Sequence, residues 1–224
     1  MLNIINNILK KMIIYKNMFK KLYKITNFSK LYKDNNLLIK KINKHNIVDC
    51  YNEINILRLL DSKYIIKIKE NYEDTDYLYM VMDYYKKKDL YDNIKKKDIN
   101  VNKNFIKSII KPIKILHSNN IVHLDLKLEN FLVDDFDNFV LIDFHFSKIH
   151  KNPYYKINLM EKNIICGTLN YMAPEMYYNG EYCKATDMYS LGCILFLAFT
   201  RKNFEKDNLH LLNNLDNDVK YIIL

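Results

Sequence analysis

Short apolar runs separated by polar turns fill the first third of the chain and predict β-strands. In "LYKDNNLLIKKI", two such runs flank the polar triplet at 34–36, a pattern typical of a β-hairpin. The stretch "YIIKIKENYEDTDYLYMVMDY" contains two more runs around a polar turn at Glu73–Asp76. This part of the chain is therefore expected to be rich in β-structure.

Two segments show the spacing of amphipathic helices instead. Within "DCYNEINILRLL" (Asp49–Leu60), apolar residues recur every third position behind Asp49, a suitable N-cap residue. From Asn102 a longer helix is predicted, although Pro112 inside it predicts a kink or an early end. The apolar residues on one face of that helix are Phe105, Ile106, Ile109, Ile110, Ile113 and Leu116.

Further along, "FLV" and "FVLI" flank Asp134–Asn138 and predict a hairpin, with Asp143 just past its second strand. The rest of the chain, to Leu224, has mostly helical patterns. A β-rich front with one helix and a helical back predict an α+β fold of two lobes around a cleft. We assign residues 1–18 to a basic N-terminal extension, 19–85 to the small lobe and 86–224 to the large lobe.

The composition supports a folded chain but says little about function. The 224 residues are 49% apolar, which is enough for a buried core. Abundant Asn, Lys and Ile, with three glycines and no tryptophan, indicate AT-rich coding rather than a fold signal. The net charge of +9 favours anionic partners, and lysines on solvated faces explain it equally. Residues 1–33 hold eight lysines and no acidic residue, so a membrane-surface or targeting segment is an alternative interpretation.

The cysteines indicate the redox state of the cellular compartment, and the apolar runs indicate whether the chain crosses a membrane. Cys50, Cys166, Cys183 and Cys193 form no C-x-x-C pair, so they are expected to be free thiols in the cytoplasm or another reducing compartment. The longest apolar run, Met188–Thr200, is too short to span a bilayer and predicts a buried helix. We therefore expect no transmembrane segment.

Candidate chemistry is concentrated in "HLDLKLEN", which places Asp125, Lys127 and Asn130 at the spacing D-x-K-x-x-N. Phosphoryl transfer from a nucleotide needs oxygen ligands for Mg²⁺, a carboxylate to accept a proton and cations on the phosphates. The predicted hairpin would return Asp143 to this neighbourhood, so Asp143 and Asn130 could hold the metal. Asp125 could accept the proton and Lys127 could neutralise the γ-phosphate. Taken alone, the stretch could equally be a polar surface turn.

Seven segments that follow one another in a fixed order are more specific evidence of function than "HLDLKLEN" alone. Three precede the predicted long helix: "LLIKKI" with Lys40, "NEINIL" with Glu53, and "LYMVMDYYKKKDL". Four follow: "LHSNNIVHLDLKLENFLV", "LIDF" with Asp143, "CGTLNYMAPE", and "DMYSLGCILF" with Asp187. From about Tyr23 to the C-terminus, this series resembles the eukaryotic-type protein kinases.

The resemblance implies a function and its cofactors, ATP and Mg²⁺. Lys40 would bind phosphate, oriented by Glu53. Asp125 would be the proton acceptor, and Asn130 and Asp143 would be the magnesium ligands. The residues lining the nucleotide would be Leu31, Leu38, Met82 as gatekeeper, Asp83 and Tyr85 along the adenine edge, Asp89 near the ribose, and Leu132.

The nucleotide loop departs from the family pattern. Where the family has the glycines and valine of G-x-G-x-x-G-x-V, this chain has Lys24, Thr26, Ser29 and Leu31, and its first glycine is Gly167. Close backbone approach to phosphate is harder without glycine. Leu38 is expected to crowd the roof of the adenine pocket. This glycine-free opening also resembles the FIKK kinases of apicomplexan parasites, whereas "CGTLNYMAPE" resembles the conventional family.

The activation segment departs as well. His145 replaces the glycine after Asp143-Phe144 and is expected to restrict the backbone there. Leu124 replaces the arginine that normally grips an activating phosphate, and no Ser or Thr lies between Lys148 and Gly167. We expect activity, if present, to need no Ser/Thr phosphate on this segment. The family's late arginine partner for Glu175 and two further helices are not reached, which a fragment, a truncated gene model or a degenerate paralogue would each explain.

These patterns predict an ATP-dependent kinase that acts on Ser/Thr hydroxyls of a protein substrate, since Lys127 and Thr168 both resemble the serine/threonine branch. The alternative is a pseudokinase, a binding or scaffold module with weak or no phosphoryl transfer. A nucleic-acid-binding protein would rest on net charge alone, so no specific nucleic-acid partner is expected. The oligomeric state is left open.

Overall fold

The fold is described from a computed structural model, for residues 21–26, 29–45, 50–149, 157–158 and 167–224. The basic N-terminal extension at 1–18, Asp49, Cys166 and most of the activation segment lie outside these ranges.

A five-stranded antiparallel sheet forms the front of the molecule, in the order β1-β2-β3-β5-β4. The predicted hairpin at 34–36 joins β2 to β3, and Asn35 at its tip has a φ of 51°, a conformation that Asn adopts more easily than most residues. The predicted turn at 73–76 joins β4 to β5. The strands are β1 (Leu22–Ile25), β2 (Ser29–Asp34), β3 (Leu37–Asn43), β4 (Ile68–Glu73) and β5 (Tyr77–Asp83).

One helix, α1 (Asn52–Arg58), lies between β3 and β4 in the chain. It is shorter than the predicted stretch of Asp49–Leu60, and its N-cap residue, Tyr51, makes no side-chain cap hydrogen bond. The predicted cap at Asp49 lies outside the described residues. Of the three residues that define the predicted amphipathic face, Ile54 and Leu57 are buried in the main core, whereas Tyr51 precedes the helix and is 41% exposed.

The back of the molecule is mostly helical, as predicted. Its helices are α2 (Leu90–Lys96), α3 (Lys103–Ser118), α4 (Pro174–Asn179), α5 (Lys184–Thr200) and α6 (Asn217–Ile223). Single 3₁₀ segments occur at Leu128–Asn130, Leu169–Tyr171 and Lys206–Asn214. Short strand pairs complete this part: β6 (Ile121–Val122) with β9 (Lys148–Ile149), β7 (Phe131–Val133) with β8 (Phe139–Leu141), and β10 (Ile157–Asn158) with β11 (Glu181–Tyr182).

The proline in α3 does not end that helix early, so this alternative was wrong, and the alternative of a kink stays a prediction. The helix continues from Pro112 to Ser118, and Asn102 caps its start by accepting from the backbone N–H groups of residues 104 and 105. Pro112 is itself buried, as are Ile109 and Ile113 on the same side. Packing of that face keeps the helix together despite the hydrogen bond that proline cannot donate.

Helix α5 is the central helix of the large lobe. The predicted buried helix at Met188–Thr200 is confirmed within it, and Leu195 and Phe196 have no measurable exposure. None of the helices within the described ranges has both the length and the apolar character of a membrane span. The β-rich front and helical back confirm the predicted α+β, bilobal fold class.

Phe196 should be a major source of large-lobe stability. It is 0% exposed and its ring packs edge-on against Phe204, with centroids 5.2 Å apart. We expect Phe196→Ala to lower the free energy of unfolding by about 3–5 kcal/mol, because a cavity replaces a buried ring. Met188→Ala on the same helix is the control, since Met188 is 50% exposed and a surface truncation costs about 0.5 kcal/mol or less. Urea unfolding followed by circular dichroism would contradict this if both variants lost the same amount.

Candidate active site

An ion pair with three members crosses from the small lobe to the large lobe. The Lys40 ammonium on β3 donates to Glu53 Oε2 on α1 at 2.7 Å and to Asp143 Oδ1 at 2.6 Å. The predicted contact between Lys40 and Glu53 is therefore present, and Asp143 joins it. The other oxygen of Glu53, Oε1, accepts from the backbone N–H of Phe144 at 3.3 Å.

The charges of this group stabilise one another. Burial alone would lower the pKa of Lys40, but the charges of Asp143 and Glu53 and their hydrogen bonds raise it above its usual value. Burial alone would raise the pKa of Asp143, but the Lys40 charge and a hydrogen bond from His145 hold it well below its usual range. Lys40 and Asp143 are consequently expected to be ionised near neutral pH.

A second cluster gathers at "HLDLKLEN" (His123–Asn130), called the catalytic loop below after the family that it resembles. Lys127 Nζ donates to Asp125 Oδ2 at 2.7 Å and to Thr168 Oγ1 at 2.9 Å. Thr168 Oγ1 donates in turn to Asp125 Oδ1 at 2.7 Å, so both carboxylate oxygens are oriented. Thr168 had been singled out in the sequence only as a marker of acceptor type. Its place in this cluster was missed, because 43 residues separate it from Asp125.

Asn130 connects this cluster to the Asp143 segment. Its Nδ2 donates to the Asp125 backbone carbonyl at 2.8 Å, and its own backbone carbonyl accepts from the N–H of Ile142 at 2.9 Å. Strands β7 and β8 form the predicted hairpin that brings residues 142 and 143 back to the loop. The proximity predicted for Asp125, Asn130 and Asp143 is therefore confirmed as a chain of contacts.

Two oxygens in this region fit a hard cation. Within the described residues, Asn130 Oδ1 and Asp143 Oδ2 accept no hydrogen bond, because the bonds of these side chains use Asn130 Nδ2 and Asp143 Oδ1. An amide oxygen and a carboxylate oxygen are ligands that Mg²⁺ prefers. The donor set of the predicted metal pair thus suits the ion, with further positions left for water and phosphate oxygens.

A buried carboxylate on α5, that of Asp187, accepts hydrogen bonds from the backbone of the catalytic loop. Asp187, 1% exposed, accepts from the backbone N–H groups of His123 and Leu124 at 2.9 and 3.0 Å, and from His117 Nε2 at 2.9 Å. These bonds hold Leu124 at a φ of 67°, which is uncommon for a bulky residue. Asp187 thereby fixes the backbone that presents Asp125.

The apolar residues predicted to line the nucleotide lie on strands of both lobes and beside the main core. Met82 on β5 is 5% exposed and lies opposite Leu38 on β3, while Leu38 and Tyr85 pack at the edge of the main core. Leu31 on β2 lies opposite Lys40, and Leu132 on β7 forms a bridge to Asp89. These apolar side chains come from both lobes and are the ones expected on either side of a nucleotide base.

Two predicted nucleotide contacts use their side chains elsewhere. The Asp83 carboxylate pairs with Lys69 at 3.0 Å on the exposed surface, so only its backbone remains for a base. Asp89 Oδ1 caps α2 by accepting from the Asp92 N–H at 2.8 Å. Burial raises the pKa of Asp89, although the bond from the Asp92 N–H opposes this. Asp89 Oδ2 is the oxygen left for a ribose hydroxyl.

Side chains tighten the turn where the family has glycines. The Thr26 N–H donates to the Ser29 carbonyl at 2.9 Å, and the Ser29 N–H donates to Thr26 Oγ1 at 3.0 Å. The two hydroxyl oxygens are 2.9 Å apart. Lys24, the third aligned position, lies on β1, and its charge lowers the pKa of Asp89, against the larger opposing effect of burial.

His145, at the other departure from the family pattern, contacts the candidate metal ligand directly. Its Nδ1 lies 3.0 Å from Asp143 Oδ1. The backbone carbonyls of residues 145 and 147 both accept from Asn52 Nδ2 on α1, at 3.3 and 2.9 Å. Since residue 145 does not have a positive φ, no glycine is required there. Sequence reasoning missed Asn52, which nothing in its local pattern marks.

The fold and these contacts are those of a bilobal kinase-like molecule. The family model described as "protein kinase domain" matches residues 23–222, and the chain belongs to this family.

Curated relatives agree with this assignment. The chain is 34% identical to a probable serine/threonine-protein kinase KIN1 homolog of Enterocytozoon bieneusi over 76% of its length. It is 32% identical to probable serine/threonine-protein kinase 2 of Plasmodium falciparum over 72%, and 36% identical to a probable myosin light chain kinase of Dictyostelium discoideum over 70%. The matched part spans 29%, 32% and 32% of these relatives, so the chain corresponds to about a third of their length.

Protonation of His123 should weaken the fold in mild acid. The imidazole is 0% exposed, and burial lowers its pKa although Asp187 and Asp125 oppose this. The unfolded chain therefore takes up this proton first as the pH falls below about 6.5. The neutral His123 imidazole makes its full contribution to the free energy of unfolding above that pH. Below it, this contribution is lost by up to about 1.4 kcal/mol per pH unit.

The measurement is the free energy of unfolding in urea from about pH 7.5 to about pH 5, the range in which histidine titrates. His123→Gln should lessen the loss of stability on acidification. His210→Gln, at an exposed histidine, is the control and should leave the pH dependence as it is in the native chain. Equal pH dependence in all three chains would contradict the assignment to His123.

Proposed function

We propose that this chain is an ATP-dependent protein kinase that transfers the γ-phosphate of Mg-ATP to Ser or Thr hydroxyls of protein substrates. The observation that carries the proposal is the Lys40 ammonium, held 2.7 Å from Glu53 and 2.6 Å from Asp143. A cation fixed in this way can orient phosphates without first having to be ordered. Two of the relatives are named as probable serine/threonine-protein kinases, which supports the choice of acceptor.

In the proposed reaction, a substrate hydroxyl lies against Asp125 and transfers its proton to a carboxylate oxygen as the new oxygen–phosphorus bond forms. The bond between the γ-phosphorus and the β,γ-bridging oxygen breaks, and ADP carries the electron pair away. Lys127 balances the charge on the transferred group, and Thr168 keeps Asp125 in position. Mg²⁺, when bound through Asn130 and Asp143, would neutralise charge on the phosphates.

The nucleotide would be held mainly by apolar contact and by the lysine. Met82, Leu38 and Leu132 would enclose the base, and backbone groups of residues 83 and 85 would meet its polar edge. Asp89 Oδ2 would accept from a ribose hydroxyl. The Thr26–Ser29 turn supplies hydroxyl groups where glycine amides are usual, which supports phosphate contact through side chains.

A pseudokinase is the second candidate, and the turn without glycines is the observation that favours it. A chain freed from catalysis would have no reason to keep Asp125, Lys127 and Thr168 mutually bonded in a half-buried cluster. It would also tolerate loss of either partner of Lys40, yet both are present within hydrogen-bond distance. These contacts favour the enzyme.

We propose in addition that the active arrangement needs no phosphate on the activation segment. The side chain at 124, where the family has arginine, is 4% exposed and packs in an apolar cluster with Met172, Met176 and Tyr182. Asn52 ties α1 to the segment after Asp143 through two backbone carbonyls. In this proposal, apolar packing and neutral hydrogen bonds order the segment that an arginine–phosphate contact orders in other members of the family.

The cysteines suit an intracellular, reducing setting for this activity. Cys50 and Cys193 are buried thiols and Cys183 is half-buried, and none of the three is in a disulfide. Burial raises the pKa of Cys193 to about 11, which keeps it protonated.

The principal test is transfer of labelled phosphate from Mg-ATP to a generic basic protein by the native chain and by Asp125→Asn. Loss of the proton acceptor should lower the rate by about 10²–10⁴-fold. Asp61→Asn is the matched control, because the Asp61 side chain is 93% exposed and pairs with Lys67 on the surface. No transfer by a folded native chain would favour the pseudokinase, and equal transfer by Asp125→Asn would contradict the role proposed for Asp125.

A second test concerns the activation segment. Treatment with a phosphatase of broad specificity should leave the transfer rate unchanged, with intact-protein mass spectrometry confirming that no phosphate remains. Tyr154 and Tyr155 are the hydroxyl side chains that the sequence places between Lys148 and Gly167, and the double variant Tyr154→Phe, Tyr155→Phe should also stay active. A rate that falls on treatment and returns when one phosphate is restored to residues 148–167 would rule out the proposed phosphate-independent state.

A further inference from the structure

His145 lies beside the candidate metal ligand Asp143 and is mostly buried. Its side chain is 14% exposed, and its Nδ1 lies 3.0 Å from Asp143 Oδ1. An ionised carboxylate can only accept hydrogen bonds, so Nδ1 carries the proton and donates. The family has glycine at this position, and a glycine has no side chain that could make this contact.

The backbone around His145 is anchored, so its imidazole has little freedom to move. The carbonyls of residues 145 and 147 both accept from Asn52 Nδ2 on α1. The Ser147 N–H donates to the Phe144 carbonyl at 3.0 Å. The imidazole also packs against the ring of Phe146, with ring centroids 3.8 Å apart. Its position relative to the neighbouring carboxylate is therefore set by its own turn and by α1.

The two oxygens of Asp143 have different partners. Oδ1 accepts from Lys40 Nζ at 2.6 Å and from His145 Nδ1 at 3.0 Å. No group within the described ranges donates to Oδ2, which is an oxygen that suits a hard cation. Because two donors on one oxygen restrict rotation of the carboxylate, Oδ2 also has a defined position.

Lys40 alone is a weaker anchor for this carboxylate than the two donors together. The same ammonium donates to Glu53 at 2.7 Å, and in the proposed function it contacts the phosphates as well. Its attraction to Asp143 is therefore shared with other oxygens. The proposed reaction gives the His145 imidazole no contact with the nucleotide, so this donor stays available to Asp143 when a nucleotide binds.

We propose that His145 is a positioning residue for the metal ion, whose Nδ1–H group holds Asp143 Oδ1 so that Oδ2 is presented to a divalent cation. The inference rests on the proposed function, in which Asp143 and Asn130 bind the metal. A hydrogen bond to a ligating side chain fixes its orientation, and loss of such a partner typically lowers metal affinity about 10–100-fold. The residue that replaces glycine thus supports the metal site.

Two simpler roles for His145 make different predictions. In the first, the imidazole is itself a metal ligand, although Mg²⁺ prefers oxygen and imidazole suits transition metals. Nδ1 is already engaged as a donor, which argues against direct ligation. In the second, the ring only fills space beside Phe146, and an apolar side chain of similar size would replace it without loss of metal affinity.

Mn²⁺ is a suitable probe, because it takes the same oxygen ligands as Mg²⁺ and the electron paramagnetic resonance signal of the free ion falls on binding. Titration of the full chain with Mn²⁺ alone, near neutral pH, gives a dissociation constant that does not depend on catalysis. Asp143→Asn identifies the site, since removal of the carboxylate should abolish most of this binding.

We expect His145→Leu, which keeps an apolar side chain beside Phe146 but has no donor, to raise the dissociation constant for Mn²⁺ about 10–100-fold. His145→Asn keeps an N–H donor close to the position of Nδ1 and should bind nearly as tightly as the native chain. His45→Leu is the matched control, because the exposed His45 lies 3.4 Å from the Asp76 carboxylate on the small lobe. It should leave the dissociation constant unchanged.

Several results would overturn the proposal. Equal dissociation constants in the native chain and in folded His145→Leu would show that the donor is not needed. Equal weakening in His145→Leu and His145→Asn would show that the hydrogen bond is not the cause. Nitrogen hyperfine coupling on the bound Mn²⁺ that disappears in His145→Leu would identify a direct ligand. Binding that is absent, or that Asp143→Asn leaves unchanged, would remove the metal site itself.

The metal titration and the phosphate-transfer assay separate this inference from the proposed function. A chain that binds Mn²⁺ with the expected dependence on residues 143 and 145 but transfers no phosphate would support the inference and refute the proposed activity. A chain that transfers phosphate with equal Mn²⁺ affinity in the His145 variants would do the reverse. Far-UV circular dichroism verifies that each variant is folded, and His145→Ala repeats the comparison if the leucine variant does not fold.

Discussion

The Lys40 ammonium joins the two lobes, and the placement of the other functional groups depends on it. It donates to a carboxylate on α1 and to a carboxylate beyond β8, so three separate parts of the chain share one buried charge centre. A buried cation without partners costs several kcal/mol, whereas a paired one is tolerated. The position of α1 relative to β3 is thereby coupled to the backbone at Phe144, whose N–H also binds Glu53. The arrangement is self-consistent because removing one member leaves another charge uncompensated.

The large lobe supplies a rigid base for this centre through α5. Asp187 satisfies two backbone N–H groups of the catalytic loop that the loop's own geometry leaves unpaired. A third bond, from Ser147 Oγ to the carbonyl of His123 at 3.1 Å, connects the same loop to the segment after Asp143. Asp125 and Asp143 are therefore positioned by one framework of buried hydrogen bonds. The proposed phosphate-independent state would rest on this framework and on the apolar packing at Leu124.

The fold was largely predictable because turn residues and hydrophobic periodicity are local signals. The site was predictable where the order of the family motifs identifies residues that are distant in sequence but close in space. The hairpin at 34–36 and the helix at Met188–Thr200 follow from turn chemistry and periodicity alone. Nothing local reveals that Asn52 bonds to carbonyls 93 and 95 residues away. The outward rotation of Asp83 to Lys69 depends on strand pairing, which periodicity does not specify. Pro112 does not end α3 early because tertiary packing of this helix outweighs the local preference of proline.

The backbone keeps conformations that favour glycine although the chain contains only three glycines. Eight described residues other than glycine have positive φ, among them Asn35, Leu124 and Asp143. Each such position costs about 1–2 kcal/mol for a residue with a Cβ atom. Glycine is retained where a side chain would collide: a Cβ atom at Gly167 would lie 2.7 Å from the Leu124 carbonyl oxygen, and one at Gly192 would lie 3.0 Å from that of Ile223. Gly167 therefore lets the end of the activation segment approach the catalytic loop closely enough for Thr168 to reach Asp125. By the same reasoning, the turn at Thr26–Ser29 can dispense with glycine only if its hydroxyl groups, and not its backbone, approach the phosphates.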